Sequence, residues 1–156
     1  MTQAVVAGSI AVAALNALPG ALGAWLLYRG DPDADRAGNA RFWIALRVGQ
    51  GAALTLVVAV GSLAAAGNYS TERLFYLYAL LPLAVAFVAE QLRVLSAQAV
   101  LDHRGLEGSA EVGRLPESEQ QLLVAEVLRR ELGVMTISAY VVAGLALRAA
   151  STAHGF

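Results

Sequence analysis

Four stretches of this chain are long, apolar and greasy on nearly every face: Ala4 to Tyr28, Phe42 to about Ala66, Leu74 to about Leu101, and Leu132 to Ala150. An α-helix rises 1.5 Å per residue and needs roughly 20 residues to cross a hydrocarbon core, and each run meets or nearly meets that length. Only Ser9, Asn16 and the pair Pro19-Gly20 interrupt the first. The helical periodicity is weak because most faces are apolar, as expected of helices solvated by lipid and by one another. The alternation of a β-barrel strand is absent. Of all residues, 58% are hydrophobic and 15% charged, against about a quarter charged in soluble domains. Too few polar side chains remain to coat a water-soluble surface, which excludes a soluble enzyme and a disordered chain. A net charge of −1 leaves no electrostatic footprint for nucleic acid.

The expected fold is all-α: an integral membrane four-helix bundle forming one domain over 1–156, with helices about 4–28, 42–66, 74–101 and 116–150. The flank Met1-Thr2-Gln3 carries no positive charge and the run behind it exceeds a signal-peptide core, so the first helix reads as retained. Orientation follows from arginine, the sole basic residue type apart from two histidines. Arg29, Arg36, Arg41, Arg104, Arg114, Arg129 and Arg130 fall on one side and only Arg73 and Arg148 on the other. The bias predicts an N-out, C-out protein of the bacterial cytoplasmic membrane, with the first and third connections inside. Asp31, Asp33 and Asp35 lie among these arginines in a turn-rich linker, but acidic residues count little in that rule. Trp25, Tyr28, Phe42 and Trp43 are expected at the inner interface, and Tyr69, Phe75, Tyr76 and Tyr78 at the outer one.

The second connection, Gly67 to Arg73, is short enough for a tight antiparallel hairpin. Gly105 is a candidate residue just past the end of the third helix. Pro116 is a candidate first residue of the fourth, with Glu117 and Glu119 favoured by the dipole of its first turn. From Pro116 to Ala150 that helix would run roughly 50 Å, more than a bilayer core. Its first turns, carrying Leu122, Leu123, Val127 and Leu128, should form a cytoplasmic amphipathic extension that docks against something.

Inside the spans, one polar cluster stands out. Arg47 and Gln50 belong to the second helix; Glu90, Gln91, Arg93 and Gln98 belong to the third. A hairpin centred near Ser70 brings Gln50 level with Glu90, and Arg47 level with Arg93. Arg47 and Glu90 are then offset by about three residues, or ~4.5 Å. The expected arrangement is a Glu90 carboxylate bracketed by Arg47 and Arg93, with Gln50 and Gln91 as hydrogen-bond partners. Such a cluster either staples the hairpin, its arginines snorkelling to the interface, or lines a cavity that binds an anionic headgroup, a small anion or a proton. Asn16 and Pro19 in the first helix, and Tyr140 in the fourth, are candidates for helix packing or a pathway, with an Asn16–Tyr140 hydrogen bond as one pairing. Small residues recur four apart at Ala4/Gly8, Gly20/Ala24, Gly61/Ala65 and Ala139/Ala143, a spacing that lets helices approach closely.

The chain has no cysteine, which excludes disulfides, thiolate metal sites and a cysteine nucleophile. His103 and His154, the only histidines, fall on opposite sides of the expected membrane and cannot share one haem or metal. No phosphate loop, nucleophile elbow or metal-ligand motif is present. No catalytic residue, metal or cofactor is therefore expected, and an enzyme is the less favoured class.

The stretches Arg41-Phe-Trp-Ile-Ala-Leu-Arg47-Val-Gly-Gln50, Ala89-Glu90-Gln91-Leu-Arg93 and Arg129-Arg130-Glu131-Leu-Gly-Val-Met135 resemble small four-span membrane proteins of actinobacterial type. That resemblance implies the four-span fold over most of the chain and no assigned activity. The four-span glutathione and eicosanoid enzymes are similar in size, but Arg47-Val-Gly-Gln50 does not reproduce their Arg-rich, Asn-containing second-helix motif. The expected function is that of an accessory, scaffold or interaction subunit in the bilayer, as part of a homo-oligomer or larger membrane complex. The alternatives are a small oligomeric transporter or channel using the Arg47/Glu90 cluster, and an enzyme acting on a lipid-soluble substrate.

Overall fold

The computed structural model describes residues 2–30, 36–106 and 109–154. The expected linker carrying Asp31, Asp33 and Asp35 lies outside the described residues. Among the described residues five helices follow in order: α1 (Thr2–Arg29), α2 (Arg36–Ala65), α3 (Arg73–His103), α4 (Ser109–Val112) and α5 (Glu117–Thr152). All but the one-turn α4 are long and apolar enough to cross a membrane, the build of a multi-pass membrane protein. There is no strand among the described residues.

The helices outrun their apolar stretches because backbone bonding does not stop where hydropathy does. α2 starts six residues before Phe42, through Arg36-Ala-Gly-Asn-Ala-Arg41, a polar segment without proline. α4 was not foreseen. Pro116 is the N-cap of α5 rather than its first helical residue, since its ψ of 146° is extended; its carbonyl accepts from the amides of Glu119 and Gln120. Gly105 behaves as expected. At φ +68° it follows α3, its amide donates to Asp102 O, and that of Leu106 to Leu101 O, a Schellman closure. Gly67, at φ +83°, closes α2 in the same way.

The long helices alternate in direction and form a ring. α5 packs against α1 and α3, α1 also packs against α2, and α2 touches α3 least. α5 is the central element: half of its apolar window is buried, against 22% in α2 and α3. Its inward face is small, with Thr136, Ser138, Ala139, Ala143, Ala146 and Ala149 buried in succession. Lipid is as apolar as leucine, so these helices gain little from burying area and associate through close van der Waals contact. Small residues supply that contact. A Cβ on Gly23 of α1 would sit 2.0 Å from Thr136 Oγ1, and one on Gly20 would sit 3.1 Å from the Tyr140 ring.

Two apolar clusters fill the interior. One, around Val12, Leu56, Phe75 and Ala146, lies toward the end bearing both termini and the α2–α3 turn. The other, around Leu26, Phe42, Leu46, Leu132 and Met135, lies toward the end bearing the other two connections; this is the arginine-rich end. Phe42 and Phe75 are fully buried core residues and not members of the interfacial belts. The other residues expected in the belts, Trp25, Tyr28, Trp43, Tyr69, Tyr76 and Tyr78, are accessible, and three of them hold an arginine. Arg29 stacks over Trp25 at 3.9 Å, Arg93 over Trp43 at 5.3 Å and Arg148 over Tyr78 at 5.7 Å. At the other end, the His154 carbonyl accepts from the Thr71 amide and the Ser70 hydroxyl, tying the end of α5 to the α2–α3 turn.

Candidate functional site

The antiparallel hairpin delivers the expected ionic cluster. Arg47 Nη1 donates to Glu90 Oε1 at 2.6 Å and to Gln50 Oε1 at 2.7 Å. Gln50 Nε2 donates to the same Glu90 oxygen at 3.3 Å. Arg93 Nε lies 3.2 Å from Glu90 Oε2, off the N–H axis, as an ion pair rather than a directed hydrogen bond. Arg47 and Gln50 are i, i+3 neighbours, as are Glu90 and Arg93, so each helix presents its pair on one face. Gln91 is not brought in. Its side chain is exposed, a step of 100° around α3 from Glu90, and makes no hydrogen bond among the described residues. Gln98 instead donates to Asp102 one turn below.

Both carboxylate oxygens of Glu90 are engaged by guanidinium groups, and its side chain is 25% exposed. Arg47 is 53% exposed and lies on the outer surface of the α2–α3 seam. Two arginines against one glutamate leave one positive charge in excess. Beside the cluster, a groove of ≈ 310 Å³ opens outward between α2 and α3. Gln50 and Glu90 close its polar end; Gly51, Leu54, Leu83 and Phe87 form its apolar walls. The arrangement can hold two helices together and can present a guanidinium to an anion. It contains no nucleophile with an adjacent base, and the described residues form no group of three metal-ligating side chains.

Asn16 lies elsewhere, at the α1–α2 crossing, and is 1% exposed. Its amide donates to Val12 O at 2.9 Å within α1 and to Gly49 O at 3.1 Å across to α2. The Asn16–Tyr140 bond does not form: the Asn16 amide donates to backbone carbonyls, and the Tyr140 ring covers Gly20 instead. Pro19 has no amide to offer Leu15 O. That carbonyl abuts Gly49, where a Cβ would come within 2.9 Å of it. Asn16, Pro19 and Gly49 thus form a packing knot in which the glycine is required by the approach. Sequence reasoning missed Gly49, whose role is to have no side chain.

At the arginine-rich end, α5 runs past α1 and packs on the last turns of α3. Leu123 and Val100 are buried, and Arg104 donates to Glu126 Oε2 at 2.8 Å, with Arg130 3.5 Å from Glu126 Oε1. The hydrogen bond from Arg104 is the main reason the Glu126 carboxyl is held below its usual range; loss of hydration opposes it, and the charges of Arg104, Arg130 and His103 add to it. The expected docking of this extension is therefore met in part by the chain itself. What stays open is a second groove of ≈ 310 Å³, lined by Leu101, Val112, Val124 and Leu128 among others, with Val124 47% exposed in its wall. His103 is at this end and His154 at the other.

No protein-family model matches the chain, and neither a curated protein nor a solved structure is significantly similar to it.

Proposed function

We propose that this protein is a non-catalytic subunit of the bacterial cytoplasmic membrane, threaded N-out and C-out, whose α3–α4–α5 end is a cytoplasmic docking surface for a partner protein. The observation that carries the reading is the apolar groove over Leu101, Val112 and Val124, with Val124 exposed in its wall. It lies on turns of α5 that precede the apolar run from Leu132, where lipid would not cover it. A groove of that shape suits an apolar helical segment. The ionic cluster supports the same class: with both Glu90 oxygens ion-paired, it acts first as interhelical glue. A transporter or channel remains the second reading, and would need an oligomer to enclose a path, because the groove beside Glu90 opens sideways.

The test is purification in mild detergent from the native membrane, with the wild-type chain and a Val124→Glu, Leu128→Glu variant in parallel. A partner in fixed stoichiometry that is lost from the variant supports the proposal. A wild-type chain recovered alone, or a partner retained equally by the variant, overturns it.

A further inference from the structure

We infer that the Arg47–Glu90–Arg93 cluster and the groove beside it form a binding site for one anionic phospholipid, with the phosphate at Arg47 and an acyl chain between α2 and α3. This inference is independent of the proposed docking surface at the far end of α5.

Depth is the first argument. From Ala65, at the end of α2, back to Arg47 is a rise of about 27 Å, and from Arg73 to Arg93 about 30 Å. A hydrocarbon core is about 30 Å thick, so a membrane entered at the α2–α3 turn ends close to these arginines. Trp43, one turn beyond Arg47 and in contact with Arg93, marks the same level. The cluster therefore sits where lipid phosphates begin.

Charge is the second. Glu90 neutralises only one of the two guanidinium groups, and the one with more free surface, Arg47, is on the lipid-facing side. Its Nη1 is committed to Gln50 and Glu90, but a guanidinium carries five N–H donors, enough to reach a phosphate oxygen as well. A zwitterionic headgroup brings a cation that the excess charge repels; an anionic one does not.

Shape is the third. α2 and α3 pack less closely than any other neighbouring pair, and the resulting groove begins at Gln50 and Glu90 and continues along Leu54, Phe87 and Leu83 toward the membrane midplane. Leu83 is about 10 Å along α3 from Glu90, the length of an upper acyl segment. Gly51 lies in that groove, and a Cβ there would meet nothing within 4 Å. The polar group at the interface and the apolar channel below it match the two ends of one amphiphile.

The experiment is native mass spectrometry of the full chain in detergent, titrated with dioleoyl phosphatidylglycerol, dioleoyl phosphatidylcholine or inorganic phosphate. The inference expects one phosphatidylglycerol to bind at least about fivefold more tightly than phosphatidylcholine, the effect of roughly one arginine near a headgroup. Arg47→Gln should remove that preference. Glu90→Gln should increase it, by taking away the competing carboxylate. Gly51→Leu, which fills the groove without touching the charges, should weaken both diacyl lipids. Circular dichroism establishes that each variant remains helical. A cluster that only staples the hairpin gives equal lipid affinities in all four proteins, and that result overturns the inference. So does phosphatidylglycerol binding that is abolished by millimolar phosphate and indifferent to Gly51→Leu, the behaviour of a bare anion site.

Discussion

Gly23→Ala is the sharpest test of the packing. A methyl group at Gly23 would lie 2.0 Å from Thr136 Oγ1, 3.1 Å from Thr136 Cβ and 2.8 Å from Phe42 Cε2. Carbon–oxygen contacts settle at about 3.3 Å or more, so α1 and α5 would have to part by about 1.3 Å or displace both neighbours. Thr136 and Phe42 are 4% and 0% exposed, so neither can swing out into solvent. Overpacking of this kind costs about 1–3 kcal/mol, and the contact with two helices places Gly23→Ala near the upper end. At about 1.4 kcal/mol per decade, that corresponds to a shift of about 30- to 140-fold in the unfolding equilibrium. Unfolding by dodecyl sulfate in mixed micelles, followed by the fluorescence of Trp25 and Trp43, measures it. Thr136 Oγ1 has no hydrogen-bond partner, so Thr136→Ala alone should be nearly neutral, and in the Gly23→Ala background it should recover more than half of the loss. If Gly23→Ala unfolds with the wild type, or if Thr136→Ala does not rescue it, α1 and α5 do not meet as described.

Asn16→Leu removes both donors of the α1–α2 knot and should cost about 0.6–1.7 kcal/mol in the same assay; no loss would mean that Gly49 O is satisfied without it. Orientation is accessible because the chain has no cysteine: Asn68→Cys should react with a membrane-impermeant maleimide on intact cells and Ser118→Cys only after lysis, and the opposite pattern would invert the threading. The Arg104–Glu126 contact should depend on pH in one direction. A carboxylate whose folded value is lowered stabilises above its unfolded value of about 4.3, and the contribution is lost as pH falls through the folded value. Amide exchange protection at 104–106 should therefore hold at neutral pH and fade in acid, and Glu126→Gln should lack that pH-dependent part.

What was legible in the sequence had a repeating or geometric signature. The spans follow from run length, and the level of Arg47 with Glu90 follows from a short turn between two rigid rods. Gly105 was legible because a helix end needs a left-handed residue that only glycine adopts cheaply. Gln91 was misplaced because its depth was right and its azimuth was not: it is one residue from Glu90 and faces away. Phe42 and Phe75 were misassigned to the belts for a related reason, since an aromatic residue near a helix end suits either the interface or the core, and direction decides. Tyr140 had a hydroxyl and the right depth for Asn16, but the acceptors that Asn16 uses are backbone carbonyls of Val12 and Gly49, which leave no trace in side-chain chemistry.

Run length and arginine spacing alone dictate four crossings and which connections share an end, because lipid leaves backbone amides no partner outside a helix. They are silent on who neighbours whom. Four helices apolar on most faces look alike to a hydropathy pattern. The order around the ring is decided by fit: Gly20 and Gly23 under Tyr140 and Thr136, Gly49 under Asn16, and the alanine face of α5 between α1 and α3. Those contacts depend on which side chains are missing, and their consequences exist only once two helices are within reach of each other.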